Sequence, residues 1–444
     1  MHSTHTPPAA GDAGRADAES AEAAERPSAD AGLEAGLDAG AARPQLDPDG
    51  NDDPEDPGPG SIPAKGRFTR VGRHPLAWQR ICDLTPHEGA LYGAHANQPL
   101  GTDGATVTRY DPNDAKKPFS TAFDWNRFGE PSKGGGAGQG FLRVRRIGGR
   151  LFVADADPPY NGLALVEYGT EGYLFVSDPK GAFAPPRAPH FRPPGPPDAE
   201  GRAGAGVVPR AYHVLDVVRF RGRTYTSTGS VPPKERAWYG PSPGALHVAS
   251  ADLSRWTYEV DYPFPYKEGV WRLGFMVRFK DRLYAGIQDY DSREPYDYVV
   301  FAPAPGSERI ERADARPARV SDAGAAKTLR WYATGGKLYW IAYADGALRL
   351  RVTSDGDTWD AIDLPLGVGR PTDVTRFRDG VVVLTENALL RLDGAKVSVL
   401  ATVTDKKTPF VFDDVFCAAP LAVLGGELYA GGQRDGALYR VDWD

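Results

Sequence analysis

The sequence predicts an all-β fold: a single β-propeller of seven blades, with six as the alternative, preceded by a disordered N-terminal tail. Three observations carry this expectation. A 13-residue phrase recurs seven times without gaps between Arg80 and Tyr429. Each copy is a short apolar run, a two-residue turn containing Gly or Asp, and an aromatic or β-branched residue opening a second run, which is the pattern of a β-hairpin. Successive copies start 60, 73, 59, 55, 43 and 47 residues apart, which suits a four-stranded blade with insertions.

The copies are RICDLTPHEGALY (Arg80–Tyr92), GFLRVRRIGGRLF (Gly140–Phe152), HVLDVVRFRGRTY (His213–Tyr225), RLGFMVRFKDRLY (Arg272–Tyr284), KTLRWYATGGKLY (Lys327–Tyr339), RPTDVTRFRDGVV (Arg370–Val382) and CAAPLAVLGGELY (Cys417–Tyr429). Ahead of them, residues 1–65 are rich in Ala, Asp, Glu, Pro and Gly and contain no aromatic residue. Such a segment cannot bury enough apolar surface to offset chain entropy, so it reads as a solvated tail. It holds 14 acidic and 4 basic residues, whereas the whole chain is at −7, so residues 66–444 are close to neutral. A near-neutral body does not point to a nucleic-acid partner.

Residues 66–79, with Phe68, Val71 and Trp78, read as a lone strand. The chain ends at GALYRVDWD, the third strand of the last blade. A fourth strand within residues 67–76 would complete that blade and close the ring, removing its exposed edges. Outer strands are legible as LALVEY and GYLFVSD (Leu163–Asp178), ALHVASAD and RWTYEVD (Ala245–Asp261), DYVVFAP (Asp297–Pro303), ALRLRVTSDGDTWDAIDL (Ala347–Leu364), and ALLRLDG with KVSVLATV in the sixth unit. Gly129–Gly140 and Ala182–Arg210 are low-complexity insertions, read as surface decoration.

No stretch reaches 18 apolar residues, so no transmembrane helix is expected. The N-terminus lacks the basic-then-apolar layout of a secretory signal, which read literally means a cytoplasmic protein; a start lying further upstream would make it exported or cell-surface. Two cysteines exclude a cysteine-rich zinc site. Cys82 and Cys417 fall on inner strands that ring closure makes neighbours. A disulfide there would be worth up to roughly 5–6 kcal/mol on the chain-entropy model. Without a signal peptide, two buried free thiols are the expectation.

In the fifth unit, TSDGDTW (Thr353–Trp359) resembles the Asp-box of sialidases and related propellers, Ser-x-Asp-x-Gly-x-Thr-Trp. Ser354 or Thr353, Asp355, Gly356, Thr358 and Trp359 match, with one spacer missing before the glycine. A degenerate copy, SADLSRW, keeps Ser250, Asp252 and Trp256. The resemblance implies a structural turn: Asp accepts backbone N–H groups, Gly supplies positive φ, and Trp packs beneath. A sialidase would also need an arginine triad, a tyrosine nucleophile with its glutamate, an aspartate acid/base and an Arg-Ile-Pro motif. No Arg-Ile-Pro occurs; RRIGG (Arg145–Gly149) lacks the proline. Sialidases are also six-bladed. Arg272, Arg330 and Arg370 are stand-ins for a triad, Tyr290, Tyr296 or Tyr332 for a nucleophile and Glu268 or Glu386 for its base. None sits in a matching motif, so the catalytic residues are unknown.

The aligned copies offer a more local signal. Position one is basic or histidine in five of seven: Arg80, His213, Arg272, Lys327 and Arg370. Inner strands of a propeller start at the face where ligands bind, and cations there favour an anion such as a carboxylated sugar. Position four reads Asp83, Arg143, Asp216, Arg330 and Asp373. Its alternating signs suit pairing between neighbouring blades, with an anion site as the competing reading.

Other signals are weak. GGGAGQG (Gly134–Gly140) lacks the Lys-Ser/Thr of a phosphate loop, and neither GxSxG nor HExxH is present. His87, His95, His213 and His247 read as core or surface histidines, so no metal is expected. The loop QDYDSREPYDY (Gln288–Tyr298) leaves calcium as the one ion allowed for. Trp238, Tyr239, Trp271 and Trp331 are aromatic platforms of the kind sugar-binding surfaces use, and equally of blade cores. The sequence therefore predicts a monomeric, non-catalytic propeller that binds a small anionic ligand, a carbohydrate or a protein partner on the face where inner strands begin. The alternatives are a carbohydrate-active enzyme (a sialidase-like hydrolase or a lyase) and a protein–protein scaffold.

Overall fold

The structure, a computed structural model, describes residues 56–75, 80–96, 105–125, 140–156, 172–183, 207–208, 211, 213–229, 244–253, 255–262, 271–289, 295–320, 326–344, 346–394, 396–405, 408–411 and 416–444. Outside them lie residues 1–55, Trp78, Leu163–Tyr168, Trp238, Tyr239, Glu268, Tyr290 and almost all of the two low-complexity insertions; of Trp271 only the backbone is described.

Twenty-eight strands and no α-helix are present among the described residues, arranged as a β-propeller. Strand β1 (Gly66–Arg73) precedes β2–β5 (Arg80–His87, Ala90–Ala96, Thr106–Tyr110, Phe119–Asp124), which form one antiparallel sheet. The next comprises β6–β9 (Phe141–Ile147, Arg150–Asp155, Gly172–Val176, Val207–Val208). Strands β10–β13 (His213–Phe220, Arg223–Gly229, Ala245–Ala249, Trp256–Asp261) and β14–β17 (Trp271–Phe279, Arg282–Asp289, Tyr298–Phe301, Ala315–Ala318) share one eight-stranded sheet. The two halves meet at a single residue pair, Gly229 with Arg272. Two four-stranded sheets follow, β18–β21 (Lys327–Thr334, Lys337–Ala344, Ala347–Thr353, Asp360–Ala361) and β22–β25 (Pro371–Phe377, Gly380–Thr385, Ala388–Asp393, Lys396–Thr402). The last is β26–β28 (Leu421–Leu424, Glu427–Gly431, Ala437–Trp443), whose outer position is filled by β1, antiparallel to β28 from Gly66↔Trp443 to Arg73↔Ala437.

Each of the seven phrases folds as the hairpin of its unit. Six of the seven turns place both central residues at positive φ, the geometry that matches strand twist in a two-residue hairpin, and the turn at Arg378–Asp379 has Arg378 alone there. Glycine pairs manage this freely at Gly148–Gly149, Gly335–Gly336 and Gly425–Gly426; Glu88, Arg221, Lys280 and Arg378 adopt it at φ 47, 47, 47 and 50°. Residues 57–62, part of the composition-defined tail, pack on this turn side. Arg378 N–H donates to the Pro57 carbonyl at 2.7 Å, Ile62 N–H to Asp379 Oδ1 at 2.9 Å, and Ile62 is buried against Phe377 and Phe410.

Cys82 and Cys417 are joined by a disulfide across 335 residues, with Cα atoms 4.7 Å apart. This corrects the expectation of two free thiols. That expectation weighed the reading of the N-terminus over the fold, whereas ring closure brings Cys82 on β2 within bonding distance of Cys417. The structure places Cys417 just ahead of β26 rather than on the inner strand itself. Both cysteines belong to a buried apolar cluster with Leu142, Leu215 and Phe275 at the strand-start end of the channel.

Candidate functional site

Six of the seven inner strands carry a β-bulge at position three or four of the repeat, where one partner residue faces two. A bulge bends its strand and re-aims the residues beside it. It turns position four towards the central channel, where the alternating charges predicted from the repeats meet.

Arg330 lies between two carboxylates, Nη1 at 3.1 Å from Asp83 Oδ1 and Nε at 3.3 Å from Asp373 Oδ1. Its Nη2 donates to the Cys82 carbonyl at 2.6 Å. Arg143 Nη1 is 3.5 Å from the same Asp83 oxygen, and its Nη2 donates to the Leu329 carbonyl at 2.5 Å. Asp216, fully buried, receives both Nε and Nη2 of Arg145 at 2.9 and 2.8 Å. Each of these carboxylates also accepts an amide from the inner strand that follows: Asp83 from Val144, Asp216 from Met276 and Asp373 from Leu421. Burial pushes the Asp373 carboxyl up to about 6 despite the adjacent Arg330.

Position one behaves differently. His213 Nε2 lies 2.8 Å from Arg272 Nη2, and Nδ1 lies 2.7 Å from the Ala156 carbonyl oxygen. The guanidinium can only donate, so Nε2 accepts and Nδ1–H donates to the carbonyl, which fixes a neutral imidazole. Arg272 also sits 5.6 Å from the Phe416 ring centroid. Arg370 makes a two-pronged pair with Glu386, Nη2–Oε1 2.7 Å and Nε–Oε2 3.1 Å. Arg80 is buried and Lys327 half-buried. Position one therefore stays at the strand starts without forming one cluster.

Among the described residues, those named as stand-ins for a sialidase centre are engaged elsewhere or apart; Tyr290 and Glu268 lie outside the described residues. Glu386 is engaged by Arg370, the Tyr332 hydroxyl accepts the Arg376 N–H at 2.9 Å, and Tyr296 is exposed. The Asp-box-like segment closes a turn. Asp355 Oδ1 accepts the Thr358 and Asp357 amides at 2.8 Å each, which holds its carboxyl far below the usual range. Thr353 Oγ1, rather than Ser354, accepts the Gly356 amide at 2.8 Å, and Trp359 Nε1 donates to the Tyr298 hydroxyl at 2.8 Å. A Cβ on Gly356 would lie 2.1 Å from that turn's neighbour, the Tyr284 hydroxyl, at φ +86°. Glycine is required there.

Below the disulfide cluster, on the turn side, the channel holds a cavity of about 100 Å³ lined by residues from all seven inner strands. Its polar wall combines the position-four network with Thr85, Arg145, Arg146, Tyr332 and Thr375. Positions six and seven of the aligned phrases supply these; of them the sequence singles out Tyr332 alone, and as a nucleophile, although the signal lies in the same alignment. No group of three His, Cys, Asp or Glu side chains fit to hold a metal ion occurs among the described residues.

No protein-family model and no curated protein sequence matches the chain. Solved structures do. A streptogramin B lyase structure is similar over 86% of this chain and all of its own, at 10% identity and a TM-score of 0.50. The virginiamycin B lyase of Staphylococcus aureus, a catalytically inactive variant with quinupristin, is similar over the same shares at 8% identity and 0.50. The extracellular domain of BT3049 from B. thetaiotaomicron is similar over 84% of this chain and 42% of its own, at 11% identity and 0.50. At such identities the likeness is one of fold.

Proposed function

We propose that this chain is a non-catalytic binding propeller that recognises a ligand or partner on the face where its inner strands begin, with a preference for anions. One observation carries this reading. The channel carboxylates Asp83, Asp216 and Asp373 are each committed to an arginine and to the backbone of the next inner strand, an arrangement that holds the ring together rather than one that moves protons. The strand-start face also takes most of the long connections, while at the opposite face each inner hairpin closes with a two-residue turn; binding residues gather on such variable connections. Arg80, His213, Arg272, Lys327 and Arg370 supply positive charge at that face. We count seven blades, taking the eight-stranded sheet as two because one residue pair joins its halves. The Asp-box-like turn relates the fold to sialidase-like propellers without their chemistry.

A lyase or glycosidase is the second reading, since streptogramin B lyases share the fold. A protein scaffold is less favoured. The large apolar side chains exposed among the described residues are few: Tyr258 on β13, Tyr296 just before β16, Leu366 between β21 and β22, and Val399 on β25. The disulfide supports work in an oxidising compartment, and so the exported alternative.

The test is thermal unfolding of the chain against acidic and neutral sugars, with and without calcium. A ligand of the folded state at a hundredfold its Kd adds about 2.7 kcal/mol. A rise with acidic sugars alone that Arg370→Ala abolishes supports an anion-preferring face. Turnover of any of these sugars would replace the binding reading with the enzymatic one.

A further inference from the structure

The channel holds a second candidate site on the opposite face, independent of the strand-start reading above. Arg143 and Arg330 are 4% exposed, and Nε of each is buried without a hydrogen-bond partner, although both side chains line the cavity. For Arg330 this holds even though Nε lies 3.3 Å from Asp373 Oδ1. A buried guanidinium N–H left unmatched is costly, which makes an acceptor in the cavity favourable.

The charge balance points the same way. Arg143, Arg145, Arg146 and Arg330 line the cavity, against the carboxylates of Asp83 and Asp373, with Asp216 behind Arg145. Beyond them, position seven of the repeats places Arg146, Arg219, Arg278 and Arg376 on four inner strands. Each pairs one step inside its hairpin turn, so all four stand at one level of the channel. That level is the turn-side mouth. Arg146 Nη1 also reaches the Pro86 carbonyl of the preceding inner strand at 3.5 Å. A ring of guanidiniums around a low-dielectric channel focuses a positive potential into it.

We propose that this cavity binds a small oxyanion (a carboxylate, phosphate or sulfate) that enters from the turn side. About 100 Å³ accommodates several waters or one such ion and excludes a sugar ring with substituents. The apolar cluster around Cys82, Cys417 and Phe275 closes the other end. Arg143 and Arg330 donate to the anion, Arg145 and Arg146 stand beside it, and the position-seven arginines draw it in.

The experiment is calorimetric titration and thermal unfolding of the full chain with phosphate, sulfate and acetate, each against chloride at matched ionic strength. Saturable binding of at least one oxyanion, with a raised Tm, is expected; whether the tetrahedral ions or acetate act identifies the ligand's head group. Arg143→Lys keeps the charge and removes the donor fork, and is expected to weaken binding tenfold or more. Arg376→Ala, at an exposed position, is expected to weaken it a few-fold and to flatten its salt dependence. Lys396→Ala, exposed on the outermost strand β25 and outside both faces' candidate sites, leaves it unchanged. No oxyanion effect beyond ionic strength would overturn the proposal, as would equal binding by the wild type, Arg143→Lys and Arg376→Ala.

Discussion

Asp216 on β10 accepts the backbone N–H of Met276 on β14 at 2.8 Å through one carboxylate oxygen, while the other takes the Val217 N–H at 2.9 Å. Arg145 on β6 grips both oxygens, so one fully buried side chain ties three consecutive inner strands. Asp83 and Asp373 repeat the latch towards Val144 and Leu421. Nearest-neighbour ties of this kind are what a ring of repeats needs, since each unit touches only the next.

Removing the Asp216 carboxylate strands two amides and takes from Arg145 the carboxylate it grips. Asp216→Ala is expected to lower the unfolding free energy by about 3 kcal/mol or more, within the range for breaking a buried pair. Asp216→Asn, which keeps one carbonyl acceptor, is expected to lose less. Urea unfolding of both variants checks this. A loss below about 1 kcal/mol for the alanine variant would mean that the latch is incidental to ring stability.

The disulfide makes a second expectation. It joins β2 of the first repeat to the segment that leads into β26 of the last, where the ring is closed by β1 rather than by continuous chain. Cys82→Ala with Cys417→Ala is expected to cost about 2–5 kcal/mol, the usual loss for a native disulfide. Thiol titration in denaturant without reductant should find no free thiol. Two titratable thiols, or a double variant as stable as wild type, would show that strand pairing alone seals the ring.

Much of this architecture was legible because each repeat carries its own turn chemistry and apolar alternation. The hairpin at Arg80–Tyr92 could be placed to the residue from Glu88–Gly89 alone. The charges of position four were also legible in the alignment, and their alternation anticipated neighbouring pairs such as Arg143–Asp83 and Arg330–Asp373, but not the reach of Arg330 across the channel to Asp83. The bulges were not, since a two-for-one pairing has no local sequence mark; they decide which side chains turn inward. Arg145 and the position-seven arginines were missed for a different reason. A regularly alternating strand gives no hint that its far end lies at the mouth of a channel. The disulfide was misjudged because the compartment was inferred from a leader rather than from the distance between strands.

Two buried groups give stability opposite slopes with pH. Burial, with His74 nearby, pushes the His95 imidazole down to about 3, its Nε2 2.8 Å from Thr108 Oγ1. The unfolded chain, titrating near 6.5, binds that proton more readily. The contribution of His95 is therefore present above pH 6.5 and is lost as pH falls towards 3. Asp373 runs the other way. Burial raises its carboxyl to about 6 against about 3.9 unfolded, so its contribution is complete below about pH 4 and is lost as pH rises to about 6. A tenfold change in proton affinity on folding corresponds to about 1.4 kcal/mol, so between pH 4 and 6 the two groups largely offset one another. Asp373→Asn is expected to make stability climb more steeply with pH across that window than in the wild type, and His95→Gln to make it climb less or fall. Urea midpoints at half-unit steps of pH separate the two. Curves for both variants parallel to the wild type would mean that neither group titrates differently in the folded and unfolded chain.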